Sequence, residues 1–152
     1  MNNMRFNLAN EADLTRLLEI EKASFIFPWT KQQLAYEIKR KAVCVLRQTN
    51  FIVGFIILHF VADQCEIINF AMHPDYQNQG FGKQLLQAAI QYIQQRNCLQ
   101  IFLEVRKSAI KVQGFYQRFG FVAMGVRKAY YALPNGKRED AIIMKLTLNG
   151  EK

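Results

Sequence analysis

The chain has 152 residues, 51% of them hydrophobic, and a formal net charge of +8. That length fits one domain with enough apolar material for a real core, and a second domain is not expected. The positive balance favours polyanionic partners, either a nucleotide-like cofactor or RNA near the working substrate. The basic residues are nevertheless scattered apart from Lys39-Arg40-Lys41, which reads as a solvated face, and no RNA-binding motif accompanies them.

Cys44, Cys65 and Cys98 stand far apart in apolar stretches, with no C-x-x-C and no histidine partner, so they read as reduced buried thiols and not as a metal site. The N-terminal residues show no basic region followed by an apolar core. The longest apolar run, Phe51 to Ala62, is too short for a bilayer and is broken by Gly54 and His59. The expectation is a single domain, residues 1–152, in a reducing cytoplasm, without a membrane partner, a metal or direct nucleic-acid contact.

In chain order, Arg5 to Ala9 is a short strand, and Asn10 with Asp13 marks a helix start followed by Leu14, Leu17, Leu18 and Phe25 on one face. A second helix opens at Thr30 and Gln33, a capping box, with Trp29 and Leu34 in the positions of a hydrophobic staple, and runs to about Lys41. Ala42 to Arg47 and Phe51 to Val61 read as strands joined at Gln48-Thr49-Asn50. A turn at Asp63-Gln64 leads into a strand from Glu66 to Met72, which completes an antiparallel meander. From Lys83 the apolar residues Leu85, Leu86, Ala89, Ile90 and Ile93 recur at helical spacing. Gln100 to Val105 is then a strand, Ile110 to Arg118 a helix, and Phe121 to Tyr131 a strand. Pro134-Asn135-Gly136-Lys137 turns the chain into a last strand, Asp140 to Leu148. The order β-α-α-β-β-β-α-β-α-β-β implies an α/β fold with a mixed sheet of about seven strands and helices on both faces.

Between the third helix and the strand before it lies Gln77-Asn78-Gln79-Gly80-Phe81-Gly82-Lys83. Glycines without Cβ atoms let backbone approach an anion closely, and the first N–H groups of a helix lack intrahelical partners and sit at its positive end. The segment therefore reads as a phosphate cradle, or else as a plain turn that needs glycine. It is neither a Walker loop nor a dinucleotide fingerprint. Its pattern is Q-x-x-G-x-G.

Two side chains stand out further along. Glu104 is one charge in the apolar run Ile101-Phe102-Leu103-Glu104-Val105, so it either reaches water or sits in a cleft with a chemical role. On the following helix Phe115 and Phe119 share a face, while Tyr116 points to the neighbouring one, as packing or as a reactive group.

Q-x-x-G-x-G, then L-E-V-R, then F-Y-x-x-x-G-F resembles the GCN5-related N-acetyltransferase (GNAT) superfamily. Phe27-Pro28-Trp29-Thr30, Glu104-Val105-Arg106, Arg127 with Tyr130-Tyr131, and Glu139-Asp140-Ala141-Ile142-Ile143-Met144 look like its RimI-type branch, the ribosomal-protein alanine N-acetyltransferases. The resemblance covers nearly the whole chain. It implies a GNAT fold, acetyl-CoA as cosubstrate, and as acceptor the N-terminal alanine of a small-subunit ribosomal protein, number eighteen. It also implies Glu104 as general base and Tyr116 as general acid. Backbone of Phe70, Ala71 and Met72 would meet the pantetheine arm, with one N–H, that of Met72, on the thioester oxygen. Gln77, Asn78, Gln79, Gly80, Phe81, Gly82 and Lys83 would hold the pyrophosphate, and Trp29, Tyr130 and Tyr131 would line the acceptor side.

Two departures from the family pattern stand in this sequence. Ala109 replaces an asparagine that usually contacts the coenzyme, which leaves Ser108 as a substitute. Asn78 and Gln79 stand where a basic residue is common, which leaves Lys83 and Lys111 to offset phosphate charge. Alternative readings are an acetyltransferase acting on a small amine or on protein lysine, and a ribosome-associated binding module that keeps the fold without catalysis.

Overall fold

The computed structural model describes residues 3–148. Among these residues the elements run β1 (Met4–Leu8), α1 (Leu14–Ser24), α2 (Lys31–Lys39), β2 (Val43–Gln48), β3 (Phe51–Val61), β4 (Gln64–Met72), α3 (Phe81–Gln95), β5 (Gln100–Arg106), α4 (Ile110–Gln117), β6 (Val122–Ala132) and β7 (Arg138–Thr147). The order is the one expected from the sequence. Hydrogen bonds join a 7-stranded sheet in the order β1-β2-β3-β4-β5-β7-β6. Its β1–β2, β2–β3, β5–β7 and β6–β7 pairs are antiparallel, whereas β4 and β5 run parallel over Gln64–Glu66 against Gln100–Phe102. A parallel pair needs a long crossover, which α3 supplies.

The chain divides into two compact units, one comprising everything up to His59 together with Ile68–Ile93, the other Phe60–Ile67 together with everything from Gln94 onward. In the first unit, α1 and α2 bury Leu17, Ile20, Leu34 and Ile38 in one cluster with Val43, Val45, Phe55 and Ile57 of β2 and β3 and Ala71 of β4. Asn10 and Asp13 form a reciprocal capping box over a short 3-10 turn, Glu11–Asp13, that leads directly into α1, and Thr30 and Gln33 form one at the start of α2 as expected; each is worth about 1 kcal/mol. Trp29 packs on the cluster that contains Leu34, as a staple should.

Two helix ends differ from expectation. Phe25 leaves the face of α1: it is the C-cap, extended at φ −131° and 39% exposed, its N–H still closing on the Glu21 carbonyl at 3.1 Å. α2 stops at Lys39, since Lys41 turns left-handed at φ 60° and Ala42 N–H closes on the Glu37 carbonyl at 3.0 Å.

In the second unit β5 alternates strictly, with Ile101, Leu103 and Val105 buried and Phe102, Glu104 and Arg106 half-buried. Glu104 is therefore on the opposite face from the buried residues of its own strand, and β5 is not the doubly covered apolar run its composition suggests. Phe115 meets Phe119 at 5.4 Å and Tyr116 at 5.3 Å between ring centroids, and Tyr116 meets the buried Phe121 at 5.4 Å. Cys44, Cys65 and Cys98 are buried thiols, and burial pushes the Cys98 thiol upward. No helix among the described residues is long and apolar enough to cross a membrane.

Candidate active site

The loop ahead of α3 has the backbone that an anion cradle requires. Asn78 and Gly80 take positive φ values of 60° and 84°, which turns successive peptide groups toward one side. Gly80 occupies the N-cap position of α3, its carbonyl accepting from Gln84 N–H at 3.2 Å. Residues 77–80 and Lys83 are exposed, and the first turn of the 15-residue helix carries no acidic side chain. Such a donor-rich, acid-free helix start fits a diphosphate. Gln77 braces the loop by donating to the Met72 carbonyl at 3.3 Å, and Gln79 by donating to the Asp75 carbonyl at 2.9 Å. The ring of Phe81 lies 6.0 Å from that of Tyr76, which in turn lies 5.7 Å from His73.

Phe70, Ala71 and Met72 end β4, whose approach to β3 is close. A Cβ on Gly54 would lie 2.9 Å from the Ala71 carbonyl, and the Met72 side chain already fills that space. Glycine at 54 is thus required by contact, not by its backbone angles. Trp29 N–H is anchored to Glu21 at 3.0 Å.

In the second unit, Glu104 is the centre of a small network. Its side chain is 12% exposed and pairs with Arg127 Nε at 3.2 Å. Tyr130 hydrogen-bonds the Glu104 carboxylate, and the Tyr131 hydroxyl donates to the Glu104 carbonyl at 3.0 Å. The two tyrosine rings meet edge-on at 4.9 Å, with Arg127 stacked over Tyr130 at 4.7 Å and Arg106 over Tyr131 at 4.6 Å. Burial, then the Glu104 charge, push the Tyr131 phenol up to about 12 and that of Tyr130 upward too.

A bulge aims these groups. Arg127 pairs with Ala141 but Tyr131 with Glu139, so Lys128, Ala129 and Tyr130 of β6 face Asp140 alone on β7. Ala129 turns left-handed at φ 50°, its N–H donating to Asp140 Oδ1 at 2.9 Å. Arg138 clamps the same segment, donating to the carbonyls of Ala129 and Tyr130 at 2.7 Å each.

Tyr116 is 4% exposed, and burial raises its phenol far above the ordinary range, with Tyr131 as a second cause. Both effects favour the protonated hydroxyl. The Ser108 hydroxyl and N–H both donate to Glu139 at 3.1 Å, and Glu139 also accepts from Arg106 at 3.0 Å. These bonds, the Ser108 hydroxyl foremost, hold the Glu139 carboxyl below its usual range. The Ser108 proton is thus committed, and only its lone pairs are left to meet a coenzyme.

Sequence reasoning had set Glu104, Tyr130 and Tyr131 in one site, and the structure brings those three together; it did not name Arg127, Arg138, Asp140 or Glu21 as working residues. Glu21 had a visible signal, because it stands at helical spacing from Leu14, Leu17 and Leu18, a carboxylate on an apolar stripe. The bulge had none, since nothing in Arg127 to Tyr131 marks a left-handed alanine. Among the described residues no group of His, Cys, Asp and Glu is arranged to hold a metal.

Comparison with known proteins assigns the class. Residues 14–121 match the acetyltransferase (GNAT) family, and the chain belongs to it. It is an acetyl-CoA-dependent N-acetyltransferase. The chain is 37% identical over 139 residues to the [ribosomal protein bS18]-alanine N-acetyltransferase of Haemophilus ducreyi, covering 91% of this chain and 96% of that one. It is 35% identical over 138 residues to the enzyme of that name from Escherichia coli K12, covering 90% and 93%. The crystal structure of the ribosomal-protein-S18-alanine N-acetyltransferase from Escherichia coli superposes with a TM-score of 0.88 at 33% identity, covering 95% of this chain and 93% of that one. The GNAT fold expected from the sequence is borne out.

Proposed function

We propose that the chain, as one catalytic domain of 152 residues, acetylates the α-amino group of an N-terminal alanine on a small-subunit ribosomal protein. The observation that carries the reading is a carboxylate, Glu104, held in a tyrosine and arginine network in a chain similar throughout to enzymes named for that reaction. An α-amino group loses its proton near pKa 7.7–8.0, against about 10.4 for lysine, so a carboxylate base, acting directly or through a water, suits the former.

Acetyl-CoA supplies an already activated thioester, so neither a metal nor a covalent enzyme adduct is needed. Backbone N–H groups of Asn78 to Lys83 hold the diphosphate, and backbone of Phe70 to Met72 aligns the pantetheine arm. Glu104 takes the proton from the attacking amine, and Met72 N–H donates to the carbonyl oxygen as charge develops there. The Tyr116 hydroxyl gives its proton to the departing sulfur. Trp29, Tyr130 and Tyr131 receive the acceptor's first residues. The buried thiols suit a cytoplasmic setting.

Mass spectrometry tests the acceptor. A peptide with a free N-terminal alanine should gain one acetyl group on its first residue, whereas an N-blocked peptide containing lysine should gain none. Acetylation of the lysine peptide alone would overturn the reading.

A further inference from the structure

Glu21 is 1% exposed, yet no step of the chemistry uses it. Both of its oxygens are occupied by neutral donors from distant segments: Trp29 N–H reaches Oε2 at 3.0 Å, and Asn69 Nδ2 reaches Oε1 at 2.7 Å. The other end of Asn69 is also engaged, its Oδ1 accepting from Phe70 N–H at 2.9 Å. Only one orientation of the Asn69 amide satisfies both partners, because the amide has one donor end and one acceptor end. The result is a continuous relay from the Trp29 backbone through Glu21 and Asn69 to the Phe70 backbone. A second tie lies beside it: the Ser24 hydroxyl is shared between the Ile20 carbonyl at 2.7 Å and the Met72 carbonyl at 3.3 Å.

Packing alone does not account for this carboxylate. Glu21 shares a helix face with Leu17, which is fully buried in the core cluster, and a leucine there would fill the space without desolvating a charge. Burial pushes the Glu21 carboxyl upward despite its two hydrogen bonds, so the group works against its surroundings. What it provides instead is geometry, two fixed acceptors at a set angle between a loop and a strand.

We infer that Glu21 is a positioning residue that sets the register of the Trp29 loop against the Asn69–Phe70 segment of β4. The inference rests on the proposed function, in which that loop meets the acceptor and that strand meets the pantetheine arm. Binding on the strand is thereby linked to the geometry of the loop, and the two substrates are aligned by a carboxylate that touches neither.

A polarity swap tests it. In Glu21→Gln one acceptor becomes a donor facing another donor, and in Asn69→Asp two carboxylates face each other. Each should raise the KM for a peptide with a free N-terminal alanine about tenfold, and the Kd of coenzyme A about threefold, with kcat within about twofold. The double variant Glu21→Gln with Asn69→Asp rebuilds the relay: the glutamine oxygen accepts from Trp29 N–H, its amide donates to the carboxylate introduced at position 69, and the second oxygen of that carboxylate accepts from Phe70 N–H. All constants should return to within about twofold of the parent. A merely structural role would lower the thermal midpoint and the active fraction while leaving both constants unchanged, and that result overturns the inference. So does a double variant no better than the singles. Amide hydrogen exchange at Trp29 and Phe70, faster in each single variant and slow again in the double, reads the relay without any acceptor. A parent protein that fails on the alanine peptide but keeps this exchange pattern would defeat the proposed acceptor and leave the relay standing.

Discussion

Glu104 is paired with Arg127 and hydrogen-bonded by Tyr130, and Tyr116 is a buried phenol whose surroundings favour its protonated form. In the proposed reaction these two groups move protons in opposite directions, Glu104 taking one and Tyr116 giving one. Glu104→Gln and Tyr116→Phe should each lower kcat by roughly 10²- to 10⁴-fold, with coenzyme binding measured by calorimetry nearly unchanged. Wild-type turnover in both would remove the assignments. Glu104 was legible because a charge interrupts an apolar run. Its exposure was not, since Phe102 and Arg106 share its face and only the alternation of β5 tells which face that is. Ser108 shows the reverse: sequence offered it to the coenzyme, and Glu139, distant in the chain, claims its proton.

The phosphate loop and the β6 bulge are elements built around single backbone angles. At Gly80 a Cβ would meet no protein atom within 4 Å, so substitution fails through φ 84° and not through crowding by the protein. Gly80→Ala should cost about 1–2 kcal/mol in urea unfolding and weaken coenzyme binding as the N–H groups turn away. Unchanged affinity would refute the cradle. Asp140→Ala should free the bulge by removing the acceptor of Ala129 N–H, lowering kcat about tenfold while the KM for coenzyme stays near the parent value. The capping boxes at Asn10 and Thr30 were readable to the residue, because each is a local pattern; that the first caps a 3-10 turn, with α1 following from Leu14, was not. Helix ends were less so. Lys41 turns left-handed and Phe25 turns extended without a glycine or proline at either position to mark the stop.

Across the whole molecule, titration follows the aromatic groups of the second unit. Tyr131 has a folded value of about 12 against an ordinary 10.0, so the folded state keeps a proton that the unfolded chain releases first. Its contribution to stability is present in full below pH 10.0 and is lost as pH rises through about 12, with Tyr116 and Tyr130 shifted the same way. Thermal midpoints should fall across that window, and Tyr131→Phe should flatten the fall. An equally steep loss in the variant would assign it elsewhere.

The one-dimensional code determined everything that depends on near neighbours: the order of strands and helices, the capped helix starts, the glycine turn ahead of α3, and a family pattern that carried the class of reaction. Periodicity and capping are contacts within a few residues, so they are written along the chain. Tertiary structure alone decided that β7 lies between β5 and β6 and that a left-handed alanine swings Tyr130 toward Glu104. It also decided that Glu21 joins Trp29 to Asn69. Those outcomes depend on partners far apart in the chain, whose meeting is set by strand register and packing and leaves no trace in local spacing.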